Sequence, residues 1–234
     1  MIKASATAQV KKKASVKDES LADSDQGFSA ALETLNCALE QGSALACSIE
    51  DDNYQRSLFT QVPIESSSSG LSPSRSTVGC HFRHLLDLCR TVLHAADQSL
   101  DQNDKGASCT TLQPSRSVVE INYNTRRRHS SLETDLAECK SEFRSLLADC
   151  DSLKKLSAAY RVRQPVAVIS ELIQDCGKAL PVDSSIDREL CFASLHATHH
   201  YALITQILQS HGISVDTSAS IAPATARDCG DKQN

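Results

Sequence analysis

Tryptophan is absent from this 234-residue chain, and aromatic residues make up only 4% of it. A core so poor in rings has to be largely aliphatic and closely packed. No apolar run approaches the ~18 residues that span a bilayer, so no membrane-crossing helix and no membrane partner are expected. Neither sign of charge dominates. The 24 basic and 29 acidic residues leave a net charge of −5, which lacks the basic footprint of a nucleic-acid binder. The chain shows no G-x-S-x-G elbow, phosphate loop or dinucleotide fingerprint. Its ten cysteines contain no C-x-x-C pair, which removes the zinc-ribbon reading. Several of them fall inside helical apolar patterns, where a free thiol acts as a small hydrophobe. With no apolar leader at the start, the expectation is reduced, mostly structural thiols in a cytoplasmic protein.

What the chain does have is helical periodicity. Residues 1–25 are small, polar and Lys-rich and read as a disordered tail. The first 17 residues contain no acid, as in a transit peptide, but their basic residues are all Lys, whereas transit peptides favour Arg. From there four apolar stripes recur at steps of three and four. They run Phe28–Leu32–Leu35–Leu39–Gly42–Leu45–Ile49, Val78–Phe82–Leu85–Cys89–Val92–Ala96, Leu132–Leu136–Cys139–Phe143–Leu146–Cys150–Leu153, and Ala193–His196–His200–Leu203–Ile207. Four amphipathic helices with one stripe each close into a bundle. The spacing places them near 26–51, 76–100, 131–157 and 184–211. The bundle then spans 26–215, with a flexible tail over 216–234, in an all-α fold of up-down topology.

Boundary chemistry agrees with these spans. Ser130 followed by Glu133 makes a capping-box pattern ahead of the third helix. Ser184 and Asp187 offer a start to the fourth, and Gly212 suits its C-terminal cap. The stretch 60–76 carries Pro63, Gly70 and Pro73 among serines and reads as a loop. Residues 101–130 form a second long connection. Between helices three and four, the β-branched run Pro165–Ile169 is able to form a short strand.

The sharpest chemical signal is His196-Ala-Thr-His199-His200-Tyr201. Positions i and i+4 of a helix share a face, so His196 and His200 can reach one metal ion. The same pair could instead be hydrogen-bonded core histidines, since an unpartnered buried imidazole costs a few kcal/mol. A third ligand has to come from another helix, and the second supplies His81 and His84. On a helical wheel His81 lies nearer the Val78–Leu85–Cys89 stripe, which favours it on periodicity alone. Cys80 stands one turn before His84, either as a fourth ligand or as an inert buried thiol. The run Arg126-Arg-Arg128-His129 is too small for a nucleic-acid footprint in an acidic chain and reads as a solvated loop.

Taken together, these blocks resemble a branch of the DinB-like superfamily, which includes YfiT-type proteins. The resemblance rests on Thr77-Val-Gly-x-x-Phe-Arg-His84-Leu-Leu-Asp87, Ile121-Asn-Tyr-Asn-Thr-Arg-Arg-Arg128, Ser131-Leu-Glu-Thr-Asp135 and Arg188-Glu-Leu-x-Phe with His196-x-x-His199-His200-Tyr-Ala-Leu-Ile204. It covers roughly residues 26–226. The resemblance implies a four-helix bundle holding a divalent metal through His84, His196 and His200, and so prefers His84 where the wheel prefers His81. Zinc or nickel suits three imidazoles. Asp87, one turn from His84, is a candidate to orient that ring. The resemblance sets Tyr123, Arg126 and Arg128 in a long loop beside the metal cavity, where they could attract an anionic thiol or carboxylate. Some of the superfamily's members look like thiol-dependent transferases or isomerases. The expected function is therefore a metal-dependent enzyme using a low-molecular-weight thiol, with a homodimer as one possible assembly. The alternative is a non-catalytic bundle that binds metal or a protein partner. Two positions depart from the branch: Cys80, where a longer polar residue is usual, and Asp187, where Gly is frequent.

Overall fold

A computed structural model of the chain describes residues 27–58, 76–106, 118–156, 164–175 and 178–216. The expected tails at 1–25 and beyond 216, and most of the 60–76 loop, lie outside those residues. The described chain is helix-rich. Helix α1 occupies residues 27–48, α2 Val78–Gly106, α3 Leu136–Leu156 and α4 Ile186–Ser210. Each expected apolar stripe turns inward. Leu32, Leu35, Leu39, Phe82, Leu85, Phe143, Leu146, Leu190 and Ile204 are buried in one common core. At about 1.5–3 kcal/mol for each fully buried aliphatic side chain, these stripes supply most of the folding drive.

Helix-to-helix distances are set by a few aromatic contacts. Phe82 meets Phe143 edge-on at 5.7 Å, and Tyr201 on α4 donates its hydroxyl hydrogen to the Ala38 carbonyl of α1 at 2.9 Å. Gly42 is the position on α1 that lets this happen, because a Cβ there would stand 2.1 Å from the Tyr201 oxygen. The glycine of the Val-Gly-x-x-Phe motif has a similar reason. A Cβ on Gly79 would lie 2.1 Å from the Glu133 carbonyl oxygen, so the first turn of α2 can press against the 3₁₀ turn Ser131–Glu133. The Tyr54 hydroxyl closes the same corner by donating to the Leu132 carbonyl at 2.7 Å.

A sheet accompanies the helices. Strands β1 (Val119–Asn122), β2 (Pro165–Asp175) and β3 (Lys178–Ser185) lie in the order β1-β2-β3. β1 runs parallel to β2 with Val119 opposite Val166, and β2 runs antiparallel to β3 with Val168 opposite Val182. The all-α expectation therefore holds for the four helices and not for the connections. The short strand expected at Pro165–Ile169 is the start of a longer one, and the 101–130 connection contains both the end of α2 and all of β1. Two cap assignments also change. The side chain that caps α3 is Asp135, whose Oδ1 accepts from the Ala137 and Glu138 amides at 2.8 and 3.2 Å; Ser130 makes no such bond. Ser184 turns its hydroxyl to Glu189 rather than to the backbone of α4. Gly212 does sit at the C-terminal turn with φ of 75°, where the Ile213 amide donates back to Leu208 at 3.0 Å.

The sheet matters to the site because of where β1 ends. The Tyr123 amide extends the ladder by donating to Ile169 at 3.0 Å, and Asn122 turns the chain by accepting from the Asn124 amide. Asn124, Thr125 and Arg126, which follow, line the cleft beside His84 and His196, and Arg127 ties the chain to Asp87 on α2 and Glu142 on α3.

Candidate metal centre

Helices α2 and α4 bring three imidazoles to one point. His84 Nε2 lies 3.0 Å from His196 Nε2, and His200 Nε2 lies 3.1 Å from the same atom. The three ligand-capable nitrogens all fall within 4.8 Å of one another. Among the described residues, this is the group of histidine, cysteine and acidic side chains whose spacing suits an ion. The backbone explains the convergence. His196 and His200 are one turn apart on α4, and His84 faces them from α2, its ring 5.2 Å from that of His196 and 4.8 Å from that of His200.

The residues fit a cation on their own geometry. One imidazole nitrogen offers a single in-plane position, either a hydrogen or a lone pair. His196 Nε2 touches two other nitrogens and can make a well-directed bond with one of them only. A cation at the shared point uses all three lone pairs at once. Zinc–imidazole bonds of about 2.0–2.1 Å in a tetrahedral arrangement separate ligand nitrogens by roughly 3.3 Å, and the His84–His196 and His196–His200 pairs, at 3.0 and 3.1 Å, are already close to that spacing.

The charge state suits that role. Burial, followed by the neighbouring His196, Arg126 and Arg83, pushes His84 down to about 4. Burial, followed by His196, His84, His81 and His199, pushes His200 down to about 2. His196 is lowered by burial, His199 and Arg126. All three rings are therefore neutral near pH 7, which is the form that ligates.

His81 is in the seam too, but in a different place. Its Nδ1 lies 3.0 Å from Nδ1 of His200, on the side of that ring away from the shared point. The wheel misled because residues 81 and 84 are only about 60° apart on a helix. Both face α4, and the wheel ranks them without knowing which nitrogen meets which ring. Cys80 is half-buried and is not among the converging groups. His199 is exposed.

A cleft of about 220 Å³ opens beside His84 and His196. Tyr123, Arg126, Ser170 and Phe192 line it, and Phe192 stacks on His196 at 5.6 Å and 26°. Arg126 is exposed at the rim, close enough for its charge to lower both His84 and His196. Arg128 is exposed and does not line the cleft. Asp87 does line it, yet its oxygens are not offered to an imidazole. They are held by Arg127, at 2.5 Å from Nε and 3.0 Å from the backbone amide, and by Arg83 at 3.4 Å.

Three participants were not singled out from the sequence. Arg127, rather than Arg126 or Arg128, is the arginine that pins the loop. Glu189 is 1% exposed and accepts from the Tyr123 hydroxyl and the Ser184 hydroxyl, each at 2.5 Å, and from Arg188. Phe192 walls the cleft. A signal for Glu189 existed: it is a carboxylate seven residues before His196, within the apolar face of α4.

No family model matches this sequence, and no solved structure matches it. Over 130 residues, 55% of the chain, it is 27% identical to FK506-binding protein 5 of Rhizopus delemar. The chain spans a third of that relative's length. At this identity and coverage the likeness assigns no family. Among the described residues, no helix is long and apolar enough to cross a membrane.

Proposed function

We propose that this chain is a divalent-metal-binding protein of the DinB-like kind, an up-down four-helix bundle whose ion is held by His84, His196 and His200. The observation that carries the reading is the convergence of three neutral imidazoles whose hydrogen-bonding demands cannot all be met by one another. The motif spacing around His84 and His196 supports it independently. Zinc and nickel are the ions that suit the donors.

Three protein ligands leave coordination positions free, as catalytic sites do. A cation bound there acts as a Lewis acid and lowers the pKa of a small thiol or water. The chain's own residues do the rest. Arg126 at the rim disfavours a bare dication next to His84 and His196, and favours an anionic group arriving with it. Phe192 and Tyr123 give the cleft an apolar wall, which excludes water from one side of His196. We therefore propose a metal-dependent transferase or isomerase acting on a low-molecular-weight anionic thiol.

One observation favours the non-catalytic alternative. Asp87, which lines the cleft, and Glu189, which holds Tyr123, are both engaged by other side chains, so neither carboxylate is free to act as a general base beside the triad. The test is elemental analysis of protein purified without a metal-affinity column, followed by a screen of small thiols with electrophiles. Stoichiometric metal with thiol-dependent turnover supports the enzyme. Stoichiometric metal without turnover supports the binding bundle, and absence of metal with no zinc binding on titration refutes both.

A further inference from the structure

We infer that His81 is a positioning residue for this metal site: it accepts the Nδ1 hydrogen of His200, frees Nε2 of His200 to ligate, and couples ion binding to a tautomer exchange in both rings. The inference rests on the metal-binding reading above and deepens it.

The argument follows the hydrogens. His81 and His200 meet through their Nδ1 atoms at 3.0 Å, and the rings are 5.1 Å apart and tilted by 52°. A contact this short between two nitrogens requires one hydrogen and one lone pair, so the two rings must hold opposite states at Nδ1. Without an ion, His200 Nε2 lies 3.1 Å from His196 Nε2, and His200 is assigned as the donor of that contact. His200 then carries its hydrogen on Nε2, its Nδ1 is a lone pair, and His81 is the donor. With an ion, Nε2 of His200 must be a lone pair. The hydrogen of this neutral ring moves to Nδ1, and His81 must become the acceptor, with its own hydrogen on Nε2. Two neutral rings exchange tautomers, and no proton is gained or lost in the pair.

The usual partner of a ligating imidazole is a carboxylate or a carbonyl. Here Asp87, the carboxylate nearest in sequence, is consumed by Arg127 and Arg83, and the group on the far side of His200 is an imidazole. An imidazole accepts a hydrogen without adding a negative charge, and it can also donate. An ionised carboxylate brings that charge and only accepts. His81 therefore lets the seam stay hydrogen-bonded in both the empty and the loaded states.

The test uses the full chain with zinc alone as the probe. Long-range proton–nitrogen correlation spectra of histidine-labelled wild-type protein report each tautomer before and after zinc. The expected result is a hydrogen on Nδ1 of His200 and on Nε2 of His81 in the loaded protein, opposite to the zinc-free protein. Unchanged tautomers at either ring overturn the inference, and this measurement needs no variant. Competition titrations then compare His81→Leu with His81→Asn, whose Oδ1 occupies nearly the same place as Nδ1. His81→Leu should bind zinc about 10–100-fold more weakly, and His81→Asn should recover most of that loss. Zinc affinity in His81→Leu equal to wild type overturns the positioning role. Loss in His81→Leu as deep as in His200→Ala, without recovery in His81→Asn, also overturns it, because His81 is then a ligand. If wild type and His200→Ala bind zinc alike, the metal-binding reading itself has failed, which is a different outcome from either.

Discussion

Helix α2 carries two groups of polar side chains into the protein, and they solve burial in opposite ways. On one side Arg83, Asp87, Arg127, Glu142 and Arg90 form a chain of ion pairs that also reaches Glu133. On the other side His81 and His84 meet His196 and His200, imidazole against imidazole, with no ion pair to any of the four among the described residues. The ionic chain is complete, because every buried charge has an opposite charge against it. The imidazole cluster is neutral and overcrowded with like atoms. A buried polar group that is fully partnered usually holds structure together, whereas convergent groups that cannot satisfy one another mark a place for something else. That contrast, more than the count of histidines, separates a site from a strut.

Breaking the ionic chain should have the largest effect on stability. Asp87→Ala leaves Arg83, itself 8% exposed, facing Arg127 without the carboxylate between them. Removing one partner of a buried pair costs about 3–5 kcal/mol. Arg127 is 39% exposed at its side chain and solvent offsets part of this, so about 2–3 kcal/mol is expected from denaturant unfolding. The loop that crosses the cleft should loosen as well, because Asp87 also holds the Arg127 amide. A loss below 0.5 kcal/mol would erase the distinction between the two groups.

The same cut in the imidazole cluster should act on metal and hardly on folding. His200→Ala should weaken zinc binding by at least the ~10–100-fold seen for disturbing a ligand's partner. Unfolding of the metal-free variant should stay close to wild type, since the aliphatic stripes carry most of the burial. Calorimetry with and without zinc checks this. Wild type should gain melting temperature with zinc by mass action, and the variant should lose that gain.

Much of this arrangement was legible beforehand, and the illegible part has a physical cause. The four stripes are local patterns, and every residue of the first three is buried, while the fourth buries all but His196 and Leu203, which are half-buried. The His196–His200 half of the triad was legible because an i, i+4 pair fixes its own geometry, whereas His84 came from the motif resemblance alone. The sheet was not. Val119–Asn122 is four residues long and pairs with Val166–Ile169, more than forty residues downstream, so its register depends on a partner that no local pattern announces. Its alternation of Val119 and Ile121 inward against Glu120 outward was the available sign. The choice between His81 and His84 failed on periodicity for a related reason: both lie on the face toward α4, and only the partner helix decides between them. Arg127 among three consecutive arginines is the same problem.

Acid should separate the two groups by pH. In the metal-free protein His84 is pushed down to about 4 from an ordinary value near 6.5, so the unfolded chain binds protons that the folded chain refuses. Stability from this ring is complete above pH 6.5 and is lost as pH falls toward 4. Glu142 is held below its ordinary range; burial pushes it up, but the hydrogen bonds from Arg90 and Arg127 outweigh that. Its contribution is therefore kept until pH drops below about 4.5 and is lost beyond that. Melting temperatures measured from pH 8 to 4 in chelator should begin to fall near 6.5. Saturating zinc should delay the first decline, because the ion competes with protons for the same lone pairs. One decline starting only below pH 4.5 would contradict the histidine assignment.

The smallest expected effect belongs to Cys80, which has the right residue type and the right sequence distance from His84. Its amide donates to the hydroxyl of Thr77 at 3.2 Å, which caps the start of α2, and its thiol is outside the group of converging ligand atoms. A ligand sulfur has to come within about 2.3 Å of zinc, and reaching that point requires α2 to turn about its axis. Rotation is resisted by Gly79, packed against the Glu133 carbonyl, and by His84 itself. Cys80→Ser should therefore leave zinc stoichiometry and affinity unchanged within about twofold. It should also leave the site open to a fourth ligand. A tenfold loss of affinity, or sulfur in the first coordination shell by X-ray absorption, would mean a closed four-ligand site. It would shift the balance from catalysis toward a structural ion.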